Sequence, residues 1–303
     1  MDGALLFLGV DGGGTQCRAR LCDGSGVILG EGAAGPANIR LGLDDSMRAV
    51  LDAAGQCLAE AKLTISSQPI IACLALAGAT EPTELAAIEK CRHPFQQMIV
   101  TTDAHAACVG AHRGEDGGVI IIGTGTVAWA MLEGRHYRVG GWGFPVSDEG
   151  SGAWLGCEVV RRVLWAHDGR APWTDLLRGV FGRLKSDPHA IVRWMSSARP
   201  REFAELAPLV VQYARQSDPA GCELMQLAGA HVDALAGRLG AIGVRRLALA
   251  GGLSSSMGPW LAQDTKRRVV PAAADALTGA LRLARAEASI RDADKLKGSL
   301  CPW

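Results

Sequence analysis

LLFLGVDGGGT (residues 5–15) and VIIIGTGT (119–126) decide the fold of this chain. Each is a short apolar run that ends in a turn of glycines and threonine. An unbroken apolar run of this length reads as a strand buried on both faces. The segments after the two turns are also alike. QCRARLCD (16–23) alternates like a strand, Gly24-Ser25-Gly26 turns, and VILGE (27–31) is a third strand; VAWAMLE (127–133), a Gly134-Arg135 turn and HYRVGG (136–141) repeat the layout. A shift of 111 residues (12 to 123) superimposes Gly12, Gly14, Thr15, Ala19, Leu21 and Gly30 on Gly123, Gly125, Thr126, Ala130, Leu132 and Gly141. The pattern predicts an internal duplication: two related α/β domains, each with one glycine-rich turn.

The remaining segments fill in both halves. A helix is predicted over 45–61, with Met47, Val50, Leu51, Ala54, Cys57, Leu58 and Ala61 as its apolar stripe and caps from 44–46. PIIACLALAGA (69–79) and MIVTTD (98–103) read as strands, and DAHAACVGAHR (103–113) opens a helix. SGAWLGCEVVRRVLWAHD (151–168) is helical, 171–240 is mostly helix, and RRLALAGG (245–252) is a strand ending in a glycine pair. The expected domains are 1–114 and 115–303, with a last helix at about 273–288 packing back on the first and a frayed polar tail from Ser289.

At 303 residues the chain is long enough for two cores, and 48% hydrophobic with 20% charged residues is globular composition. Lys plus Arg (31) equals Asp plus Glu (31), and no run of like charge occurs, which argues against nucleic-acid or anionic-membrane partners. No apolar run reaches the length of a spanning helix, and no basic residue precedes the first apolar stretch as in a secretory signal, so a cytoplasmic protein is expected. The nine cysteines (17, 22, 57, 73, 91, 108, 157, 222, 301) form no C-x-x-C pair, and His105 and His112, seven apart, could share a helix face. They read as buried thiols and solvated or core imidazoles rather than a metal cage.

Three segments place glycines beside hydroxyls or carboxylates after a strand, DGGGT (11–15), GTGT (123–126) and LAGGLSSS (249–256), and a fourth, TTDA (101–104), places hydroxyls and a carboxylate there. Glycine lets backbone N–H groups approach phosphate oxygens, and a carboxylate at a strand end suits hydrated Mg²⁺. Tight turns alone would explain any one of them. GEGAAG (30–35) fits the dinucleotide spacing, but Pro36 follows where a helix should open; the P-loop and nucleophile-elbow patterns are absent. GGWGFPVSDEGSGAWLG (140–156) mixes Trp142, Phe144, Asp148, Glu149 and Ser151 with glycines. Carboxylates meet sugar hydroxyls and a ring covers the C–H face, while Ser147 or Asp148 would also cap the next helix.

On these residues the chain resembles the superfamily of acetate and sugar kinases, Hsp70 and actin. Within it, GPANIRLG, HPF with TTDAHAACVGAH, and FPVSDEGSGAWLG are similar to the N-acetylglucosamine kinase group of the BadF/BadG/BcrA/BcrD ATPase family, nearest to bacterial glucosamine kinases. The resemblance implies two duplicated actin-like (ribonuclease H-like) α/β domains with an interdomain cleft, ATP and Mg²⁺ as cofactors, and closure on the sugar. It matches Asp11, Gly12, Gly13, Gly14, Thr15, Gly123, Thr124, Gly125 and Thr126 to the ATP phosphates, and Gly251 and Gly252 to the adenosine side. Asp11 would hold Mg²⁺ through water. Asn38, Gly141, Trp142, Gly143, Asp148 and Glu149 match sugar contacts, and Asp103 matches the base for the sugar 6-hydroxyl. Thr126 replaces a serine common in relatives, keeping the hydroxyl.

The expected activity is therefore phosphorylation of D-glucosamine at its 6-hydroxyl, with N-acetylglucosamine as the alternative acceptor. An ATP-driven iron–sulfur activase would want a cysteine in the loop, where none occurs before Cys157. A sugar sensor would want a basic DNA-binding segment, which this chain does not show. A homodimer is expected from the family alone.

Overall fold

The computed structural model describes residues 4–65, 67–79 and 82–298. The chain divides into two compact units, Met1–Glu115 with Ala272–Trp303, and Asp116–Pro271. The first contains β1 (Leu6–Gly12), β2 (Cys17–Cys22), β3 (Ile28–Ala34), α1 (Leu43–Glu60), β4 (Ile70–Leu76), α2 (Pro82–Glu89), β5 (Gln97–Thr102) and α3 (Asp103–His112). The second contains β6 (Gly117–Ile122), β7 (Thr126–Leu132), β8 (Arg135–Gly140), α4 (Gly152–His167), α5 (Asp175–Arg183), α6 (Pro188–Met195), α7 (Pro200–Ala204), α8 (Ala207–Arg215), α9 (Pro219–Ile242), β9 (Leu247–Ala250), α10 (Ser254–Met257) and α11 (Gln263–Arg268). The chain then returns to the first unit as α12 (Ala276–Gly298).

The first sheet has the order β3-β2-β1-β4-β5 and the second β8-β7-β6-β9. In both, a three-strand antiparallel meander is extended by parallel pairing from its first strand, β1 with β4 and β6 with β9. The duplication is therefore real in topology. The sequence alignment beyond the turns does not follow it. Val10 pairs with Ala19, whereas Ile121 pairs with Val127 rather than Ala130. Gly30 pairs with Leu21, but Gly141 lies beyond the end of β8. The reason is turn length: Gly13–Gln16 separate β1 from β2, Gly123–Gly125 separate β6 from β7, and Glu133-Gly134 replaces the longer Asp23–Val27 connection. The identities at Ala130, Leu132 and Gly141 are thus coincidences of spacing.

Side-chain alternation explains the buried strands. Leu6, Leu8 and Val10 of β1, with Ile70, Ala72, Leu74 and Leu76 of β4, face the core that includes Val50, Ala54 and Cys57 of α1. Phe7, Ile71, Cys73 and Ala75 face the opposite side, where Ala106 of α3 and Ala280, Leu281 and Ala284 of α12 cover them. Strands buried on both faces read as continuous apolar runs. Close contact of α3 and α12 needs Gly279, where a Cβ would lie 1.8 Å from the Ala106 carbonyl oxygen.

Several boundaries differ from expectation. α1 starts at Leu43, so Asp44 and Asp45 lie in its first turn rather than capping it, and Ser46 bonds back to the Gly42 and Asn38 carbonyls. Leu51 is only partly buried, and Ala61 follows the helix. α2 is an addition to the expected elements. α12 continues to Gly298, through RDADKLK residues that favour helix, in place of the expected frayed tail. Cys301 lies outside the described residues; the other eight cysteines are free thiols. No helix among the described residues is long and apolar enough to cross a membrane.

Candidate functional site

In the first unit the predicted residues gather at the C-terminal edge of the parallel strands, the usual place for ligands in open α/β sheets. The ladder aligns Gly12 with Leu76 and Leu76 with Thr102, so Gly13, Ala77 and Asp103 start the next row. The turn after β1 is closed by Gly13 N–H donating to the Gln16 carbonyl (2.9 Å). Thr15 is exposed on it, and Gly14 lies against Asn38, whose Nδ2 would be 3.7 Å from a Cβ there. Asn38 is held in place by its own turn: Oδ1 accepts from Arg40 N–H at 3.0 Å, and a parallel bridge joins it to Ala77.

Asp103 is the first residue of α3. Thr102 caps that helix by accepting from His105 N–H (3.0 Å), and Asp103 Oδ1 accepts from Ala104 N–H (2.8 Å). A carboxylate at a helix N-terminus is stabilised by the helix dipole. Asp11 is partnered by Arg18, whose Nη2 donates to Oδ2 at 2.7 Å across the β1–β2 pair. Burial works against the Arg18 charge, but the bond to Asp11 more than offsets it, and the guanidinium holds its proton above the ordinary value. Beneath them burial, then the Asp11 charge, pushes the Cys17 thiol up to about 12. No cluster of three or more His, Cys, Asp or Glu that could hold a metal occurs among the described residues. A single carboxylate fits Mg²⁺, which keeps several waters, better than it fits a cation needing a protein cage.

In the second unit the turn Gly123–Gly125 is held from two sides. Gly123 N–H donates to the Gly125 carbonyl (2.9 Å), while the Gly123 and Thr124 carbonyls accept from Gly152 and Ala153 N–H at the start of α4 (2.8 and 3.1 Å). Thr124 is half-buried on the turn. Thr126 is only 3% exposed, and its hydroxyl has no partner among the described residues. The glycine pair reaches the same turn: Leu253 N–H donates to the Ile122 carbonyl (2.9 Å). Gly251 has φ 89°, and a Cβ on it would lie 2.5 Å from that carbonyl oxygen, so glycine is required. Gly252 is open on all sides within 4 Å.

The loop after β8 also folds onto this turn. Ser151, not Ser147 or Asp148, caps α4, accepting from Trp154 N–H at 3.1 Å. That leaves Asp148 for the turn: its Oδ2 would be 2.6 Å from a Cβ on Gly125, and its Oδ1 accepts from Gly143 N–H at 3.3 Å. The buried Ser147 hydroxyl accepts from Trp142 N–H (3.3 Å), and Arg138 donates to the Gly140 and Gly141 carbonyls. Trp142 is 69% exposed, with the Arg138 guanidinium 4.4 Å from its ring centroid. Glu149 is exposed. Sequence reading missed both arginines. Arg18 was accessible in principle, because a strand-turn-strand pairing that joins Gly12 to Cys17 also sets Asp11 against Arg18.

Residues 8–281 match the BadF/BadG/BcrA/BcrD ATPase family. The chain belongs to that family. It is 37% identical over 279 residues to the glucosamine kinase GspK of Vibrio cholerae, covering 92% of this chain and 95% of that protein. A solved structure from Chromobacterium violaceum with a provisional N-acetylglucosamine kinase designation superimposes with a TM-score of 0.87 at 33% identity, over 92% of this chain and 98% of that one. A ROK-family glucokinase from Streptomyces griseus, solved with glucose and AMPPNP, shares the fold at TM-score 0.54 and 19% identity, over 92% and 98%. The architecture is that of the actin-like sugar kinases.

Proposed function

We propose that this chain is an ATP-dependent amino-sugar kinase that transfers the γ-phosphoryl group to the 6-hydroxyl of D-glucosamine. One observation supports this reading above the others: a carboxylate, Asp103, stands in the same edge row as the glycine-threonine turn after β1. Phosphoryl transfer needs positioning, charge neutralisation and a base beside the acceptor hydroxyl. Asp103 accepts the 6-hydroxyl proton as that oxygen bonds to the γ-phosphorus, the bond to the bridging oxygen breaks, and ADP leaves. Each glycine turn, 12–15 in the first unit and 123–125 in the second, offers backbone N–H groups suited to phosphate oxygens, with Thr15 and Thr124 as the hydroxyls on their surfaces. Thr126 is buried beneath its turn, so the phosphate contact falls to Thr124 rather than to its hydroxyl. Gly252, with open space around it, leaves room for the adenosine side, and Gly251 holds the tight turn beside it. Asp11 would hold Mg²⁺ through water, and the cation, when bound, neutralises phosphate charge.

Of the residues assigned to the acceptor, Asn38 of the first unit offers its amide to hydroxyls; in the second unit Asp148 and the backbone of Gly141 and Gly143 offer polar groups, and Trp142 offers a ring for a pyranose face. Likeness to the Vibrio glucosamine kinase favours the free amine. The Chromobacterium designation favours the acetylated sugar and makes it the second reading. Free thiols suit a reducing, cytoplasmic setting. Phosphorus NMR of the product made from Mg-ATP and glucosamine tests the assignment. A phosphate ester coupled to the C6 protons is expected; an anomeric phosphate would contradict the role of Asp103.

A further inference from the structure

Apart from the glycine turns, the second unit holds a cavity of about 480 Å³ among α5, α6 and α7, within the range of small-ligand sites. Arg183, Lys185, Arg193, Trp194, Glu202 and Glu205 line it. Arg183 and Lys185 have no carboxylate partner among the described residues. Arg193 shares its charge with Asp187 at 3.2 Å. Glu202 uses Oε2 to accept from Arg199 N–H (2.7 Å), and Glu205 lies 3.8 Å from Arg201. Lys185 and Ser186 keep left-handed backbone at φ 67° and 52°, and Arg183, Lys185 and Arg193 are exposed.

We infer that this cavity is a second site, for a phosphorylated amino sugar. The choice of ligand rests on the amino-sugar kinase reading and on charge complementarity. Guanidinium and ammonium groups take the phosphate, the two carboxylates take a sugar ammonium and hydroxyls, and the Trp194 ring covers a pyranose C–H face. The site also touches the acceptor loop through packed rings. Trp194 packs at a tilt on Phe203 with 4.8 Å between centroids, and Phe203 likewise on Phe144 at 5.1 Å, in the loop that carries Trp142 and Asp148. An occupant that shifts Trp194 therefore biases that loop, so product held here restrains its own synthesis.

Isothermal titration with D-glucosamine 6-phosphate, in glucosamine sufficient to fill the acceptor site, reads this cavity, whose cations hold the phosphate that glucosamine lacks. One equivalent is expected to bind, with affinity falling at least tenfold in Arg183→Ala/Lys185→Gly. Glycine accepts the Lys185 backbone freely, so that variant should keep its melting temperature and kcat. In rate assays it should lose the part of product inhibition that glucosamine does not relieve. No binding under saturating glucosamine, unchanged affinity in the variant, equally tight binding of inorganic phosphate, or retained glucosamine-insensitive inhibition would each overturn the inference. If ADP release proves independent of sugar, the kinase reading fails, while the titration still reports on the cavity.

Discussion

Asp103→Asn separates the catalytic role proposed for this carboxylate from its structural one. Structurally little should change. Asparagine keeps an Oδ1 that can accept from Ala104 N–H, and Thr102 continues to cap α3. The loss is one negative charge in the first helical turn, about 0.3–1 kcal/mol. For a unit of this size that corresponds to roughly 1–4 °C in melting temperature. Chemically the change is larger. General-base assistance is worth about 10²–10⁴-fold, or roughly 2.7–5.4 kcal/mol of barrier. A coupled ADP-release assay beside a thermal melt should therefore show kcat down by that factor with the melt nearly unmoved. Thr102→Ala provides the converse: loss of the cap costs about 1 kcal/mol and should leave kcat within severalfold. A kcat for Asp103→Asn within tenfold of wild type, or a kcat loss that merely tracks unfolding, would refute the assignment.

Two glycines near the second turn should respond differently to alanine. Gly251→Ala forces left-handed backbone and a clash with the Ile122 carbonyl, costing about 2–4 kcal/mol, and calorimetry should show a melting temperature lower by roughly 5–15 °C. Gly125→Ala meets only the movable Asp148 carboxylate, so it should melt normally while raising the sugar KM in steady-state assays. Burial pushes the Cys17, Cys57 and Cys73 thiols from 9.0 up to about 12. A raised folded value means their contribution to stability is complete below pH 9 and is lost as pH rises toward 12, which urea unfolding across that window should show. Among the described cysteines, Ellman's reagent should label half-buried Cys91, Cys157 and Cys222 far faster than these three. Arg18→Ala frees Asp11 and should tighten Mg²⁺ dependence, read as the Mg²⁺ midpoint for nucleotide binding by calorimetry.

The features legible in the sequence were those that depend on local pattern. The buried runs of β1, β4 and β6, and the glycine turns after β1 and β6, stand where apolar continuity and glycine placed them. Asp103 was singled out by the resemblance of TTDAHAACVGAH to a known family, and the cap that Thr102 gives its helix came only with the structure. The features that stayed hidden depend on partners distant in sequence. A threonine in a glycine turn looks alike whether it is exposed, like Thr15, or buried, like Thr126; one residue of turn length decides which. Ser151 rather than Asp148 caps α4 because the helix begins at Gly152, and Asp148 lies beside Gly125, 23 residues earlier. The pairing of Arg138 with Trp142 and the ring contacts of Phe144, Phe203 and Trp194 leave no periodic trace.

Sugar-dependent ADP release with Mg-ATP, measured across glucosamine, N-acetylglucosamine, glucose and no sugar, tests the central claim most directly. The expected result is turnover that requires a sugar and is greatest with glucosamine. Equal ADP release with and without sugar would contradict the account.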